Sequence, residues 1–232
     1  MTIDRRTLLI AGAGVAALGL GGYRMLLGSA APSSLLPVGM AHAQSDEGAT
    51  GDAPEVQEMA LGSDDAPVTV YEYASFTCPH CATFNANVKP RLIEDYVDTG
   101  LVRFVYREVY FDRPGLWAGM VARCGGPMRY FGIVDMIYEQ QREWVQGSPA
   151  EMVENLRRIG RTAGLSNDEL DACLTDADMA RAMLANYEAQ MDVHPIEGTP
   201  SVVLNGEVLG NMSYEDLAGH LDAALEEAQA DG

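Results

Sequence analysis

The chain has 232 residues, of which 34 are acidic and 15 are basic, and its formal net charge is −19. Such a charge argues against a nucleic-acid-binding protein, because no basic surface is present to neutralise phosphates. The 47% hydrophobic content is that of a folded protein rather than a disordered one, and four cysteines are too few for a small scaffold held together by disulfides.

Residues 1–43 have the pattern of a bacterial export signal. Arg5 and Arg6 directly precede an apolar, glycine-rich run, and a small-x-small sequence ends at Ala43. The adjacent arginines resemble the twin-arginine type of signal. We therefore expect export to the periplasm with cleavage after Ala43. The alternative is an uncleaved membrane anchor, although the uninterrupted apolar run is shorter than the roughly 20 residues that span a bilayer.

The segments that follow predict a flexible lead-in and then a βαβ unit. Residues 44–55 are small and polar, which favours a mobile segment. Runs rich in β-branched and aromatic residues predict strands over 56–61, 68–73 and 101–109. Between the last two, a proline opens a helical pattern over 79–97. The order strand, helix, strand indicates a crossover between parallel strands.

Residues 114–191 show helical periodicity almost throughout and contain no convincing strand. Two helix starts are well defined, since Ser148 precedes a proline and Ser166 stands three residues before Glu169 in a capping-box pattern. The sequence therefore predicts an all-helical insertion within an α/β domain.

The last segment returns to strands and ends in a helix. Strands are predicted over 201–204 and 207–209, and Asn205-Gly206 between them is typical of a two-residue hairpin turn. Ser213 is then expected to cap a final amphipathic helix.

The tetrad Cys78-Pro79-His80-Cys81 carries the clearest chemical signal. Pro79 at the first helical position places Cys78 at the N-cap, where free backbone N–H groups and the helix dipole favour a thiolate. A protonated His80 would add to this effect. Cys81 follows one turn later, close enough to form a disulfide with Cys78. The pair therefore indicates thiol–disulfide exchange.

Two other interpretations of the cysteine pair are a zinc site and inert structural thiols. Structural zinc usually takes four ligands in two close pairs. Cys124 and Cys173 stand alone, and His194 and His220 have no ligand-like spacing to other residues. The pattern favours redox chemistry, and no metal or cofactor is expected.

Residues 71–81 (YEYASFTCPHC), the helical insertion and Thr199-Pro200 together resemble the DsbA family of thiol–disulfide oxidoreductases. The resemblance covers about residues 56–229. It implies an α/β thioredoxin-like fold, with a central mixed β-sheet flanked by helices and an inserted all-α subdomain. The thioredoxin-like domain would comprise 56–113 and 192–232, and the insertion would comprise 114–191.

The resemblance also implies roles for individual residues. Cys78 would be the exposed nucleophile and Cys81 the buried resolving thiol. Glu72 would be a buried acid that helps to move the proton of Cys81; the alternative is an ordinary surface glutamate. Pro200 would be a cis-proline against the active-site disulfide, although a strand-opening proline is the simpler interpretation. Thr199 departs from the valine of the best-studied oxidases and also occurs in reductases and isomerases, which leaves the direction of electron flow open.

Cys124 and Cys173 fall on the apolar faces of two predicted helices. Buried free cysteines are one possibility. A structural disulfide is slightly favoured in an oxidising compartment, and some relatives of this type carry one in the helical domain.

The resemblance implies a monomeric enzyme that introduces disulfides into reduced, unfolded secreted proteins. A membrane oxidase of the DsbB kind would regenerate its disulfide. Two alternatives stay open. One is a periplasmic reductase or isomerase, and the other is a non-catalytic chaperone or peptide-binding module of the same fold.

Overall fold

The computed structural model describes residues 54–230. The predicted export signal and all but the last two residues of the predicted lead-in lie outside the described residues. Among the helices of the described part, none is both long enough and apolar enough to cross a membrane.

The described chain contains one five-stranded mixed sheet, as the sequence predicted. Its strand order is β1-β3-β2-β4-β5; β2 and β3 run parallel, and the other neighbours are antiparallel. β2 is therefore the central strand, and the loop that leaves its end is held by neighbours on both sides. The strands are β1 (Met59–Leu61), β2 (Val68–Ala74), β3 (Val102–Glu108), β4 (Ser201–Leu204) and β5 (Glu207–Gly210).

The first strand is shorter than predicted. The sequence predicted a strand over 56–61, but only Met59–Leu61 pair with β3. The backbone carbonyl of Gln57 accepts a hydrogen bond from the Arg123 side chain, at 2.8 Å, and the Glu58 carboxylate binds Arg103 at 3.1 Å. These side-chain contacts, rather than a strand ladder, fix the residues before Met59.

Helices cover both faces of the sheet, because the side chains of β2 alternate between two apolar clusters. Val70 and Ala74 pack in the main core with Phe84 of the first helix, whereas Tyr73 packs on the other face with Val203. The helices are α1 (Pro79–Asn87), α2 (Lys89–Leu92), α3 (Arg113–Cys124), α4 (Pro127–Glu139), α5 (Gln141–Trp144), α6 (Pro149–Thr162), α7 (Asn167–Thr175), α8 (Ala177–Val193) and α9 (Tyr214–Ala230).

The prediction of one continuous helix over 79–97 is wrong in detail. The structure has α1, a break at Val88, α2, and then a π-helical segment over Ile93–Val97. Pro90 explains the break, because it has no N–H for the carbonyl of Ala86 and its ring crowds the preceding turn. The break leaves Lys89 at the start of α2.

Six helices, α3 to α8, separate β3 from β4, and this stretch contains no strand. Ser148 and Ser166 each accept a hydrogen bond from the backbone N–H three residues later, and Glu151 and Glu169 return the bond, so both form capping boxes. The division of the chain into a domain and an insertion at 114–191 stays a prediction.

A disulfide joins Cys124 at the end of α3 to Cys173 in α7. The two Cα atoms lie 5.8 Å apart, and 49 positions separate the residues in sequence. The bond closes a loop that contains all of α4, α5 and α6.

Replacing both Cys124 and Cys173 with alanine should lower the free energy of unfolding by up to about 4 kcal/mol, because the unfolded chain regains the entropy of a loop of about 50 residues. Denaturant unfolding without reductant, with Cys78 and Cys81 both replaced by serine in parent and variant, would measure the difference. Equal midpoints for the variant and the parent would contradict a stabilising role for this bond.

Candidate redox site

The local sequence places Cys78 at the junction between the central strand and the first helix. β2 ends at Ala74, and α1 begins at Pro79 with Cys78 as its N-cap in extended conformation, at φ −82° and ψ 120°. The carbonyl of Cys78 accepts the first helical hydrogen bond, from Ala82 at 3.2 Å. The sulfur therefore stands at the positive end of α1, partly accessible to solvent.

Hydrogen bonds favour the thiolate of Cys78. Partial burial alone would raise its pKa, but hydrogen bonds from the Thr199 side chain and from the backbone N–H groups of Cys81 and His80 outweigh burial and lower the pKa below its ordinary value. His80 itself is exposed, as is Pro79. Cys78 is therefore the more acidic and more accessible of the two thiols.

Cys81 has the opposite character. It is fully buried, and burial raises the pKa of its thiol strongly, an effect to which the charge of Glu72 adds. Both thiols are free in this structure. One sulfur is thus prepared to be attacked or to leave as an anion, whereas the other needs a proton partner whenever the disulfide opens or closes.

Glu72 is the acidic residue whose charge acts on Cys81. It projects from β2 with 1% of its surface exposed, and neither carboxylate oxygen has a hydrogen-bond partner among the described residues. Burial raises its pKa from 4.5 to about 8, although the nearby charge of Lys89 opposes the rise. The surface position that the sequence left open for Glu72 is therefore wrong.

The second half of the site comes from the turn before β4. The peptide bond between Thr199 and Pro200 is cis, and the Cys78 thiol donates a hydrogen bond to the Thr199 carbonyl at 3.3 Å. Since the N–H and C=O groups of residues before a strand can pair with an added chain, this turn offers backbone partners next to the reactive sulfur.

A cavity of about 690 Å³ lies beside this turn. Residues of β5 line it, as does His80 from the first turn of α1, two positions after Cys78. Its lining includes His80, Glu197, Gly198, Thr199, Val208 and Asn211.

The sequence did not identify Gln141 and Asp112 as the residues that hold the loop before Cys78. Gln141 of α5, which is buried, donates from Nε2 to the carbonyls of Phe76 and Cys78 at 2.8 and 2.9 Å. Thr77 donates to the carboxylate of Asp112 at 2.8 Å. A local signal for Asp112 exists, because an aspartate just before a helix start that contains proline is typical of an N-cap. No local pattern indicates that Gln141 bonds residues more than 60 positions away.

The structure brings together seven of the predicted site residues. They are Glu72, Cys78, Pro79, His80, Cys81, Thr199 and Pro200. Cys124 and Cys173 instead bond to each other in the helical region. The catalytic roles of the seven residues stay predictions, although their geometry is that of a redox site.

Comparison with known proteins identifies the family. The family described as "Thioredoxin" matches residues 55–223, and the chain therefore belongs to it. A provisionally named protein-disulfide oxidoreductase of Rickettsia bellii is 33% identical over 173 residues, which cover 74% of this chain and 66% of that relative. The disulfide bond formation protein D of Bacillus subtilis is 24% identical, over 78% of this chain and 83% of its own length. The chain thus spans slightly less than two thirds of the Rickettsia protein.

Solved structures confirm the fold that the sequence implied. The crystal structure of Wolbachia pipientis alpha-DsbA1 matches with a TM-score of 0.69 at 23% identity, over 77% of this chain and 96% of that one. Oxidised BdbD from Bacillus subtilis matches with a TM-score of 0.64 at 21% identity, over 73% and 93% of the two chains. The expected resemblance to DsbA proteins with a thioredoxin-like fold is confirmed.

Replacing Thr199 with valine should raise the pKa of Cys78 by about half a unit to one unit, because the thiolate loses a hydrogen bond worth about 1 kcal/mol. The ultraviolet absorbance of the thiolate, followed across pH, measures this shift. Thr162→Val is the matched control, since that exposed hydroxyl bonds only the Arg158 carbonyl. A Cys78 pKa that is equal in parent and Thr199→Val would contradict the assigned contact.

Replacing Glu72 with glutamine should stabilise the reduced protein by about 3 kcal/mol at pH 7. The folded state keeps this carboxyl protonated up to about pH 8, whereas the unfolded chain ionises it near 4.5, so stability contributed by Glu72 falls as pH rises between these values. Near pH 4 the parent and variant should be almost equal.

Denaturant unfolding over this pH range tests the prediction, with Glu227→Gln as the control on an exposed position of α9. If the advantage of Glu72→Gln did not grow with pH, the carboxyl would not be held neutral in the folded protein.

Proposed function

We propose that this protein is an exported thiol–disulfide oxidoreductase that introduces disulfides into secreted or periplasmic proteins through Cys78 and Cys81. The observation that carries the proposal is the contrast between the two sulfurs. Cys78 is accessible, has a lowered pKa and touches the carbonyl of Thr199, whereas Cys81 is buried with a raised pKa. Such a pair exchanges disulfides at one sulfur only.

The exchange follows from this contrast. A thiolate of the reduced client attacks the Cys78 sulfur of the oxidised enzyme, and the bond between Cys78 and Cys81 breaks with its electron pair on Cys81. A second client thiolate attacks the client sulfur of the mixed disulfide and releases Cys78 as a thiolate. Two electrons pass from client to enzyme, and the client gains one disulfide.

The turn at Thr199 supports a role for backbone recognition of the client. Its carbonyl lies against Cys78, and the cavity beside it offers room for an extended segment. A reduced, unfolded client supplies such a segment, whereas a folded protein does not. Recognition through backbone groups would also explain how one site serves clients of different sequence.

The compartment and the partner are parts of the same proposal. The signal-like residues 1–43 would direct the chain to the periplasm. There the reduced enzyme needs an oxidant to restore its disulfide, and a membrane oxidase of the DsbB kind would accept the two electrons. The names of the Rickettsia and Bacillus relatives agree with disulfide chemistry.

The reverse direction, disulfide reduction, is the second candidate, because Thr199 departs from the valine of the best-studied oxidases and is a residue that also occurs in reductases. Hydrogen bonding by its side chain lowers the pKa of both Cys78 and Cys81. The reduction potential separates the two directions, because known values run from about −120 mV for an oxidase to about −270 mV for thioredoxin.

We expect the potential of the Cys78–Cys81 pair to lie nearer −120 mV, since a stabilised Cys78 thiolate stabilises the reduced form. Equilibration with glutathione buffers, read by mass spectrometry after alkylation, measures it. A value near −270 mV would replace the oxidase with the reductase.

Replacing Cys78 with serine should abolish the oxidative refolding of a reduced, unfolded protein such as a ribonuclease, because the sulfur that forms the mixed disulfide is gone. Cys81→Ser keeps the attacked sulfur and removes the resolving one, so it should accumulate a mixed disulfide with glutathione. Full refolding activity in Cys78→Ser would refute the assignment. The chaperone alternative would be favoured by a different result: the parent protein catalyses no oxidation, and Cys78→Ser prevents the aggregation of clients as well as the parent does.

A further inference from the structure

Lys89 is the single lysine of the chain and it is buried, with 3% of its side chain exposed. Its ammonium forms an ion pair with Asp135 of α4, which also accepts a hydrogen bond from Asn85 at 3.0 Å. The Asp135 side chain is 44% exposed and so reaches solvent. A lysine is almost never buried to this extent unless its charge is paired, so the polar surroundings of Lys89 are of interest.

The pair lies in line with the resolving cysteine. Cys81, Asn85 and Lys89 recur at intervals of four along α1 and the start of α2, which places them along one side of the helical segment. Cys81 packs in the same core cluster as Val70 and Ala74, which lie on the same face of β2 as Glu72. Glu72 has no partner for either carboxylate oxygen, and the Oδ1 atom of Asn85 also has none among the described residues. A row of polar groups thus runs from Cys81 toward the surface.

A cavity of about 670 Å³ lies between α1 and α4. Asn85, Lys89 and Asp135 line it, together with Tyr138. The hydroxyl of Tyr138 hydrogen-bonds that of Tyr106 at 2.6 Å, and Tyr106 lies beside Glu72 in the register of β2 and β3. Tyr138 thus joins the cavity to Tyr106, the strand neighbour of Glu72, and Asp135 joins it to solvent.

We propose that Lys89 and Asp135, with this cavity, form the route by which protons pass between Glu72 and solvent. The inference rests on the proposed exchange at Cys78 and Cys81. When a client thiolate opens the disulfide, the electron pair left on Cys81 takes the proton of Glu72. The Glu72 carboxylate then recovers a proton from solvent past Lys89 and Asp135. During reoxidation Cys81 returns the proton to Glu72, and it leaves by the same route.

Lys89 and Asp135 are positioning residues in this scheme, because they act on Cys81 only through Glu72. They have opposite effects: the charge of Lys89 lowers the pKa of Glu72, and that of Asp135 raises it. The two tyrosines stay neutral in the working range, since burial raises their pKa values well above 10. The groups that face Glu72 are Cys81 from α1, Lys89 from α2, Tyr106 from β3, Val202 from β4, and Asp135 and Tyr138 from α4.

The test measures how fast Cys81 resolves a mixed disulfide between Cys78 and glutathione, as a function of pH. This step needs the Glu72 carboxylate as acceptor, so its rate should rise with pH around a midpoint near 8. Lys89→Met should move the midpoint up and Asp135→Asn should move it down, each by about half a unit to one unit. Arg181→Met and Asp178→Asn, an exposed ion pair on α8, are the matched controls and should leave it in place.

A second measurement, by NMR, does not require thiol–disulfide exchange. Because Lys89 is the single lysine, labelling lysine with ¹³C at the ε carbon gives one side-chain resonance in the full chain. In the reduced protein this resonance should shift as Glu72 ionises near pH 8, and the shift should vanish in Glu72→Gln. This readout also serves if Lys89→Met fails to fold.

Opposite displacements of the midpoint, together with the Glu72-dependent shift, would support the route. Unchanged midpoints, displacements in the same direction, or a resonance indifferent to Glu72 would overturn it. Failure of the proposed function gives a different result, since the parent protein would then form or resolve no mixed disulfide while the resonance still responded to Glu72.

Discussion

The site depends on a difference in pKa between two thiols, Cys78 and Cys81, that lie one helical turn apart. Cys78 lies at the N-terminus of α1, where N–H groups and the Thr199 side chain stabilise its anion, whereas Cys81 is buried and its anion is strongly disfavoured. Each unit of difference between the two pKa values corresponds to about 1.4 kcal/mol in favour of charge on Cys78. In the proposed exchange the client attacks Cys78, so Cys81 takes the electron pair and needs a proton, and Cys78 then leaves the mixed disulfide as the stabilised thiolate.

The rest of the fold maintains this inequality. The central strand β2 carries Glu72 beneath the helix and ends at the loop that presents Cys78. Gln141 fixes the carbonyls of that loop, so the N–H groups of α1 stay directed at the sulfur. On the other side the cis peptide at Pro200 follows Thr199, whose side chain lowers the pKa of Cys78 through hydrogen bonding. Sheet, helix and turn each contribute one contact, and no segment forms the site alone.

The sequence predicted those parts of the site that depend on neighbours along the chain. Pro79 predicts that Cys78 is the N-cap of a helix, and Asn205-Gly206 predicts the hairpin that follows Pro200. The cis bond itself required the resemblance to a family, since proline alone is seldom cis. Contacts between distant segments carry no local signal: Gln141 and Asp135 meet the site only after the helices pack. The break at Val88, in turn, follows from Pro90, whose missing N–H ends α1 early.

The most direct test of the unequal sulfurs is a pH titration of the fully reduced protein by thiolate absorbance. One thiol, assigned to Cys78 by its loss in Cys78→Ser, should titrate below the ordinary value of about 8.5. The second should remain protonated across the range in which the protein stays folded. Two thiols that titrate together at the ordinary value would contradict the central claim.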